Sequence, residues 1–505
     1  MRVLFANLPA ETTVGDWSRI VVRAGSRWPF AYHQKTKRQQ LYYAPFPLAL
    51  ATAAAVMRER GHTVSALDSL PLRLSREAFF AAAEKFRPEL IFFETAALAV
   101  AQDLEMAAEL QRRTGARIAA LGAQATATAG RLLEQSAIDY VLRGEYERTA
   151  GELADRVEKR RTQRGSGIRG LAGRDEDGAY FEEGLGEIPD PNVLPTPAYD
   201  LFPRPHQDRK LLALYRDNIA PEKFCLQTSA SRGCNRRCSF CLWNQVLSPG
   251  LGRRARAPAA VAEEIARLQE TWEPDSFYFD DDSFTGDPTQ AEAVCRELLR
   301  LKKRPRWYAM ADLDGLEPDL LGMMAQAGCR GLKFGVESAA DGVLKPEGKQ
   351  ARPVRAAKTV AAARRRGIRT HATFCLGLPG ESPESLAATL ALAQGLSCDS
   401  IQCSICIPYP GTELRRRLRR EKRLLSEDQD RCDGSRSLIA FPELEPGRIE
   451  EARRLLLRRW LRSRLREPRW AAGMAKYLIR RGRALGPRGL ADWLGVLRDA
   501  YGGRR

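Results

Sequence analysis

The sequence predicts an α/β protein: an N-terminal doubly wound parallel sheet, then a partial (β/α)6 TIM-like barrel, then a helical C-terminal region. Three observations carry this. Short apolar runs rich in β-formers alternate with alanine- and leucine-rich helical stretches, first over residues 2 to about 160 and again from Phe224 to about Leu425. Residues 161–205, including GSGIRGLAGRDEDG and IPDPNVLPTP, are rich in Gly, Pro, Asp and Glu and read as a linker. Beyond Pro442 the alternation stops and the chain becomes helical, basic and amphipathic. The expected units are 1–160, 161–205, 206–425 and 426–505.

In the first unit RVLFANL, TVSALD, ELIFFET, RIAALG and DYVLRG are the five strands, and helices between them dictate parallel pairing. Ligands of such sheets bind beyond the strands' carboxyl ends, here the loops after Leu8, Thr95, Gly122 and Gly144. The first loop is long, from about Pro9 to Ala44, and its Trp17, Trp28, Tyr32, His33, Tyr42 and Tyr43 suggest a lid. In the third unit FCLQTS, SFYFDD, RPRWYAMAD, GLKFGVES, RTHATFCLG and SIQCSICIP are six strands separated by helices, and their carboxyl ends should carry the chemistry.

Bulk composition narrows the setting. With 505 residues, 44% hydrophobic and 29% charged, the chain is an ordinary multidomain globular protein. MRVLFANLPAETT reads as a strand instead of a signal peptide, and Leu41 to Met57, broken by Pro45 and Pro47, suits a core helix better than a bilayer span. Eleven cysteines without framework spacing point to a reducing compartment, the cytoplasm. The net charge of +18 would suit an anionic partner, but arginine-rich coding composition accounts for it equally well.

Cys234, Cys238 and Cys241 fall within SRGCNRRCSFCLWNQ, just after a strand. A structural zinc site wants four ligands, commonly two C-x-x-C pairs, and no second pair stands at zinc-ribbon distance, so zinc is the second choice. Three thiolates on one tight loop suit a four-iron cube with one iron open to a reactant. C-x3-C-x2-C with Phe240 before the last cysteine resembles the radical S-adenosylmethionine (radical SAM) superfamily over roughly Cys225 to Leu425, and FYFDDDSFTGD, GVES, GLPGES and PYPGTEL follow in the same order as in that family. The resemblance implies a [4Fe-4S] cluster on the three cysteines and an S-adenosylmethionine whose amino group meets Asp281 and Asp282. It further implies that Phe240 positions the adenosyl moiety and Glu337 holds the ribose. In that superfamily one electron splits the sulfonium into methionine and a 5′-deoxyadenosyl radical.

YAPFPLALATAAAVMRERGHTVSALD, RPELIFFET, ALGAQATA and DYVLRGEYE resemble, in order, the N-terminal domain of the cobalamin-binding branch of that superfamily. This implies cobalamin against Gly122, Gly144 and Glu145. The D-x-H-x-x-G motif that supplies a cobalt-ligating histidine elsewhere is absent, His33 is a poor substitute, and Ala123 and Gln124 stand where relatives carry glycine and histidine. Asp312 stands where relatives often carry arginine, a change of charge sign at a strand end that reports either substrate choice or a surface pair.

The expected activity is a cobalamin-dependent radical SAM enzyme, a C-methyltransferase at an unactivated carbon of a small molecule or natural product. The rivals are oxidative cyclisation, rearrangement or hydroxylation on the same cofactors, and a non-enzymatic cobalamin carrier or sensor. An external one-electron reductant such as flavodoxin or ferredoxin is implied. Nucleic acid is not expected, since the first 224 residues lack the cysteines for the second cluster of RNA methylthiotransferases. Cys295, Cys329, Cys375, Cys398 and Cys403 are expected in the core, and Cys406 could reach substrate. Trp460, Trp470 and Trp493 in the basic tail suggest a helical cap, or peripheral contact with an anionic membrane.

Overall fold

The computed structural model describes residues 1–12, 20–22, 30–32, 43–134, 137–159, 167–175, 177–250, 252–350, 352–434 and 436–502. Trp17, Trp28, His33 and Tyr42 of the expected lid, and the side chain of Trp493, lie outside the described residues. No helix among the described residues is long and apolar enough to cross a membrane.

All five expected N-terminal strands form: β1 (Arg2–Asn7), β2 (Thr63–Asp68), β3 (Leu90–Glu94), β4 (Arg117–Leu121) and β5 (Tyr140–Leu142). They pair in parallel. β1 and β3 are buried on both faces, which is why RVLFAN and LIFFE read as continuous apolar runs. Part of the stretch expected as linker is sheet instead: β6 (Leu171–Arg174) and β7 (Tyr180–Glu182) extend the edge antiparallel, giving the order β7-β6-β5-β4-β3-β1-β2. The composition misleads because a tight hairpin uses the same residues as a linker. Asp175 accepts the backbone N–H of Asp177 and of Ala179, and Gly173 leaves room for the Phe181 ring. The strand order reverses between β1 and β3, so the ligand crevice opens beyond Asn7 and Glu94.

Six parallel strands follow in chain order: β8 (Cys225–Thr228), β9 (Ser276–Phe279), β10 (Trp307–Ala311), β11 (Cys329–Glu337), β12 (Arg369–Leu376) and β13 (Ser400–Ile405). Trp307 packs edge-on to Phe279 at 5.3 Å beneath the sheet. One hydrophobic core runs through both sheets. Between them Phe46 stacks on Tyr199 at 4.8 Å, the Tyr199 hydroxyl donates to the Gln227 carbonyl at 2.9 Å, and the Tyr215 hydroxyl donates to Asp68 at 2.7 Å. The carboxyl ends of the two sheets are thereby fixed toward each other.

The helix Pro446–Leu465 packs against the helix Pro383–Gly395 and β13. Trp460 and Trp470 are both buried, edge to face at 5.9 Å, and the Trp470 indole N–H donates to the Asp399 carbonyl at 3.1 Å, which makes this part of the tail a cap. The next helix, Pro468–Gly502, is kinked at Gly486 ahead of Pro487.

Candidate active site

The cysteine loop is closed by pairing of Ser231–Arg232 with Arg254–Ala255. Gly233, at φ +78°, passes so close to the Gly252 carbonyl that any Cβ would overlap it. The Arg236 N–H meets the Cys234 sulfur at 3.4 Å, and the Cys241 N–H donates to the Cys238 carbonyl at 3.1 Å. A single π-helical turn, Trp243–Leu247, follows. Gly348 backs the loop, with its carbonyl 3.9 Å from the Cys238 sulfur.

Cys234, Cys238 and Cys241 all line one cavity of about 380 Å³. Burial pushes the Cys238 thiol up to about 12 against the opposing pull of Lys349, and burial also raises Cys234. Such thiols must lose their protons, as thiolates, when they bind a metal. Three cysteine sulfurs, two of them half-buried and facing one cavity, suit the donor set of an iron–sulfur cube.

The barrel wall presents strand-end residues. Glu337 ends β11 at φ +62°, where a register shift beside Gly335 re-aims it into the cavity. Its carboxylate takes a 2.8 Å ion pair from Lys349, whose ammonium also donates to the Gly335 carbonyl at 3.1 Å. Lys349 and Arg236 were not singled out in the sequence. Arg236 clamps Asp312 through two hydrogen bonds of 2.9 and 3.0 Å and reaches Asp314 as well. Asp312 is therefore both paired and on the cavity wall. Phe240 and Asp282 line the cavity. Asp281 does not: it is fully buried and accepts the Ala230 N–H at 2.8 Å and the Ser231 hydroxyl, anchoring the loop instead of facing a ligand.

GLPGES and PYPGTEL are also supports. Glu381 accepts the Gly377 N–H at 3.1 Å, and Thr412 caps the helix Glu413–Arg420. A Cβ on Gly411 would stand 2.9 Å from both Ala127 and Val246, so the barrel turn, the short helix Ala123–Ala127 after β4 and the π-helical turn meet there.

The opposite wall comes from the N-terminal sheet: Glu94 to Leu98 after β3 and Gly122 to Gln124 after β4. Gly122 takes φ +95°, and with Ala96, Ala97 and Ala123 it makes a wall of small residues able to accept a broad flat ring such as a corrin. Glu94 is held by the Tyr146 hydroxyl at 2.7 Å, and the Gln124 amide donates to Gln429 at 2.8 Å. Gly144 and Glu145 lie off this wall. Glu145 instead joins the two domains, paired with Arg232 at 3.4 Å and with Arg254, and accepting the Ser248 hydroxyl at 2.6 Å. No described histidine lines the cavity. His62 is bound to Asp155 at 3.1 Å, His206 to the Phe202 carbonyl at 2.6 Å and His371 to Ser400 at 2.8 Å.

Cys295, Cys329, Cys398 and Cys403 are core residues. Cys375 is not purely so, because it reaches the cavity wall, and Cys432 joins it there. Cys406 lies behind Cys375, in a cluster separate from Cys403, so the C-x-x-C is no ligand pair.

Residues 228–393 match the Radical SAM superfamily, and residues 38–154 match the B12 binding domain. An uncharacterized methyltransferase of Pyrococcus horikoshii is 29% identical over 374 residues, 73% of this chain and 77% of the relative. The cytidylyl-2-hydroxyethylphosphonate methyltransferase of Streptomyces wedmorensis is 31% identical over 210 residues, 38% of this chain and 36% of that protein. Two solved structures share the fold. The radical S-adenosylmethionine methyltransferase TsrM from Kitasatospora setae, with cobalamin and a [4Fe-4S] cluster bound, has a TM-score of 0.66 at 19% identity, covering 83% of this chain and 78% of TsrM. The cobalamin-dependent radical enzyme OxsB, with aqua-cobalamin and S-adenosylmethionine bound, has a TM-score of 0.69 at 15% identity, covering 96% of this chain and 71% of OxsB. With residues 38–154 matching the B12 binding domain and residues 228–393 the Radical SAM superfamily, the chain carries both domains, and they close on one cavity.

Proposed function

We propose that this protein transfers a methyl group to an unactivated carbon of a small molecule in specialised metabolism, in the cytoplasm and with electrons from a flavodoxin- or ferredoxin-like donor. The observation that carries the reading is that one cavity is walled on one side by Cys234, Cys238 and Cys241 and on the other by Gly122 to Gln124 of the B12 binding domain. When bound, the cluster and S-adenosylmethionine supply the radical, and cobalamin supplies a methyl carrier.

The chain's own residues orient and enclose. Cys234, Cys238 and Cys241 hold the cluster, while Phe240, Asp282 and Glu337 position S-adenosylmethionine. Lys349 keeps the Glu337 carboxylate in place, and Gly122 admits the corrin face. Binding the reactants in a mainly apolar enclosure excludes water and fixes one C–H bond against the reacting carbon. The methyltransferase names of the two relatives described above support transfer.

Anaerobic reconstitution with iron, sulfide and cobalamin, followed by mass spectrometry, tests this. Both 5′-deoxyadenosine and S-adenosylhomocysteine should form, methyl label from S-adenosylmethionine should enter the product, and replacing the three cysteines by alanine should abolish all of it. Product without label would replace methyl transfer by cyclisation, rearrangement or hydroxylation.

A further inference from the structure

We infer that the molecule transformed in this cavity is uncharged and largely apolar, and carries no phosphate or carboxylate where it enters. The inference rests on the reading above and names its substrate class.

Its basis is where the positive charge of this chain goes. The net charge is +18, yet among the described residues only two cations, Arg236 and Lys349, line the cavity, against four carboxylates: Glu94, Asp282, Asp312 and Glu337. Both cations are already committed. Arg236 presents its fork to Asp312 at 2.9 and 3.0 Å and also binds Asp314. Lys349 is held on Glu337 at 2.8 Å. Basic residues close by turn to other acids: Arg352 to Asp314 at 3.3 Å, Arg415 to Glu427 at 2.7 Å, and Arg417 to Glu347.

A phosphate or carboxylate entering here would lose its hydration, find no unspent cation among the described residues and face a wall with more carboxylates than cations, an excess of acidic groups. The sulfonium of S-adenosylmethionine, by contrast, suits that excess. The remaining wall is apolar, with Phe240, Trp243, Leu247 and Met310, and its neutral polar groups are of the hydroxyl and amide kind, as at Thr373, Ser404 and Gln124. Such a wall reads shape and at most a hydroxyl or amide. Asp312 is the determinant that the sequence flagged by its charge sign: by occupying Arg236 it removes the one guanidinium among the described lining residues that could grip an anion bidentately.

The test uses the reconstituted holoprotein with S-adenosylmethionine bound, and two probes of nearly equal shape: naphthalene-2-sulfonamide, which is neutral, and naphthalene-2-sulfonate. Equilibrium dialysis should show the sulfonamide bound at least tenfold more tightly. Trp243→Leu should weaken its binding severalfold, which assigns it to this cavity. The double variant Asp312→Asn, Asp314→Asn should raise sulfonate affinity at least tenfold, because Arg236 is released.

Sulfonate binding equal to or tighter than sulfonamide in the unaltered protein would overturn the inference, and so would a double variant that folds, keeps its cofactor spectrum and gains nothing for the sulfonate. Those results leave the enzyme reading standing. Failure to acquire cluster and cobalamin spectra would sink that reading, and the inference with it.

Discussion

Replacing Gly348 by alanine should strip the cluster from an otherwise folded protein. Gly348 sits at φ +73°, and a Cβ there would lie 2.6 Å from the Arg237 carbonyl oxygen and 3.5 Å from the Cys238 nitrogen. Ordinary contact begins at 3.4 Å, so the Arg237 carbonyl, one bond from the Cys238 nitrogen, must yield by about 0.8 Å. The left-handed conformation costs an alanine about 1–2 kcal/mol, and forcing an extra carbon against packed backbone adds about 1–3 kcal/mol. The second contribution falls on the position of a cluster ligand. Expressed as cluster affinity, it predicts a loss of about 5- to 150-fold. Gly367 is the matched control, because its φ is +72° and nothing stands within 4 Å of its would-be Cβ. Gly367→Ala should carry only the conformational cost and keep its iron. Iron per chain and visible charge-transfer absorbance after anaerobic reconstitution at limiting iron, beside thermal midpoints, distinguish the two. Wild-type iron content in the Gly348 variant, or equal loss in both, would refute the claim that the Gly348 contact sets the geometry of Cys238.

Glu145→Gln should destabilise the protein by about 2–4 kcal/mol, less than a fully buried pair because Arg232 keeps Glu147 at 2.5 Å; urea unfolding reads this, and an unchanged midpoint would deny the domain clamp. Lys349→Gln removes a charged hydrogen bond of about 1.5–3 kcal/mol, so S-adenosylmethionine should bind at least about tenfold more weakly by calorimetry with iron content unaltered. Burial raises the Asp103 carboxyl from 3.8 to about 8. The folded chain then keeps a proton that the unfolded chain releases, so this group's contribution is full below pH 3.8 and is lost as pH rises to about 8. The slope is about 1.4 kcal/mol per pH unit. Asp103→Asn should flatten that part of the stability profile and stabilise the protein at pH 8; an unchanged profile would contradict the assignment.

The architecture was legible because β1 and β3 are buried on both faces and helices alternate with every strand, so local pattern and global packing agree. The three cysteines were legible because their spacing is itself the ligand geometry. Asp281 and Glu145 were misread for a common reason: a carboxylate beside a ligand motif looks the same in sequence whether it faces the ligand or holds the motif's backbone or neighbour. Lys349 follows Glu337 by twelve positions across a short helix and a 3-10 turn, and nothing in EGKQ distinguishes it from a solvated lysine. A helical sequence pattern cannot announce the π-helical turn after Cys241, because one added residue per turn leaves the composition unchanged. Cys375 was assigned to the core because buried cysteines usually pack there, but near the carboxyl end of a barrel strand an inward side chain also faces the reactants.

At Gly411 a barrel turn, a short helix of the N-terminal domain and the π-helical turn share a volume with no space for one more methyl group. A protein engineer grafting a foreign corrin domain onto this barrel would have to transplant position 411 together with the stretches around 127 and 246, or the graft would be propped open. By the same logic, lineages that acquired new reactants are expected to have repainted the chamber's interior while leaving that keystone bare.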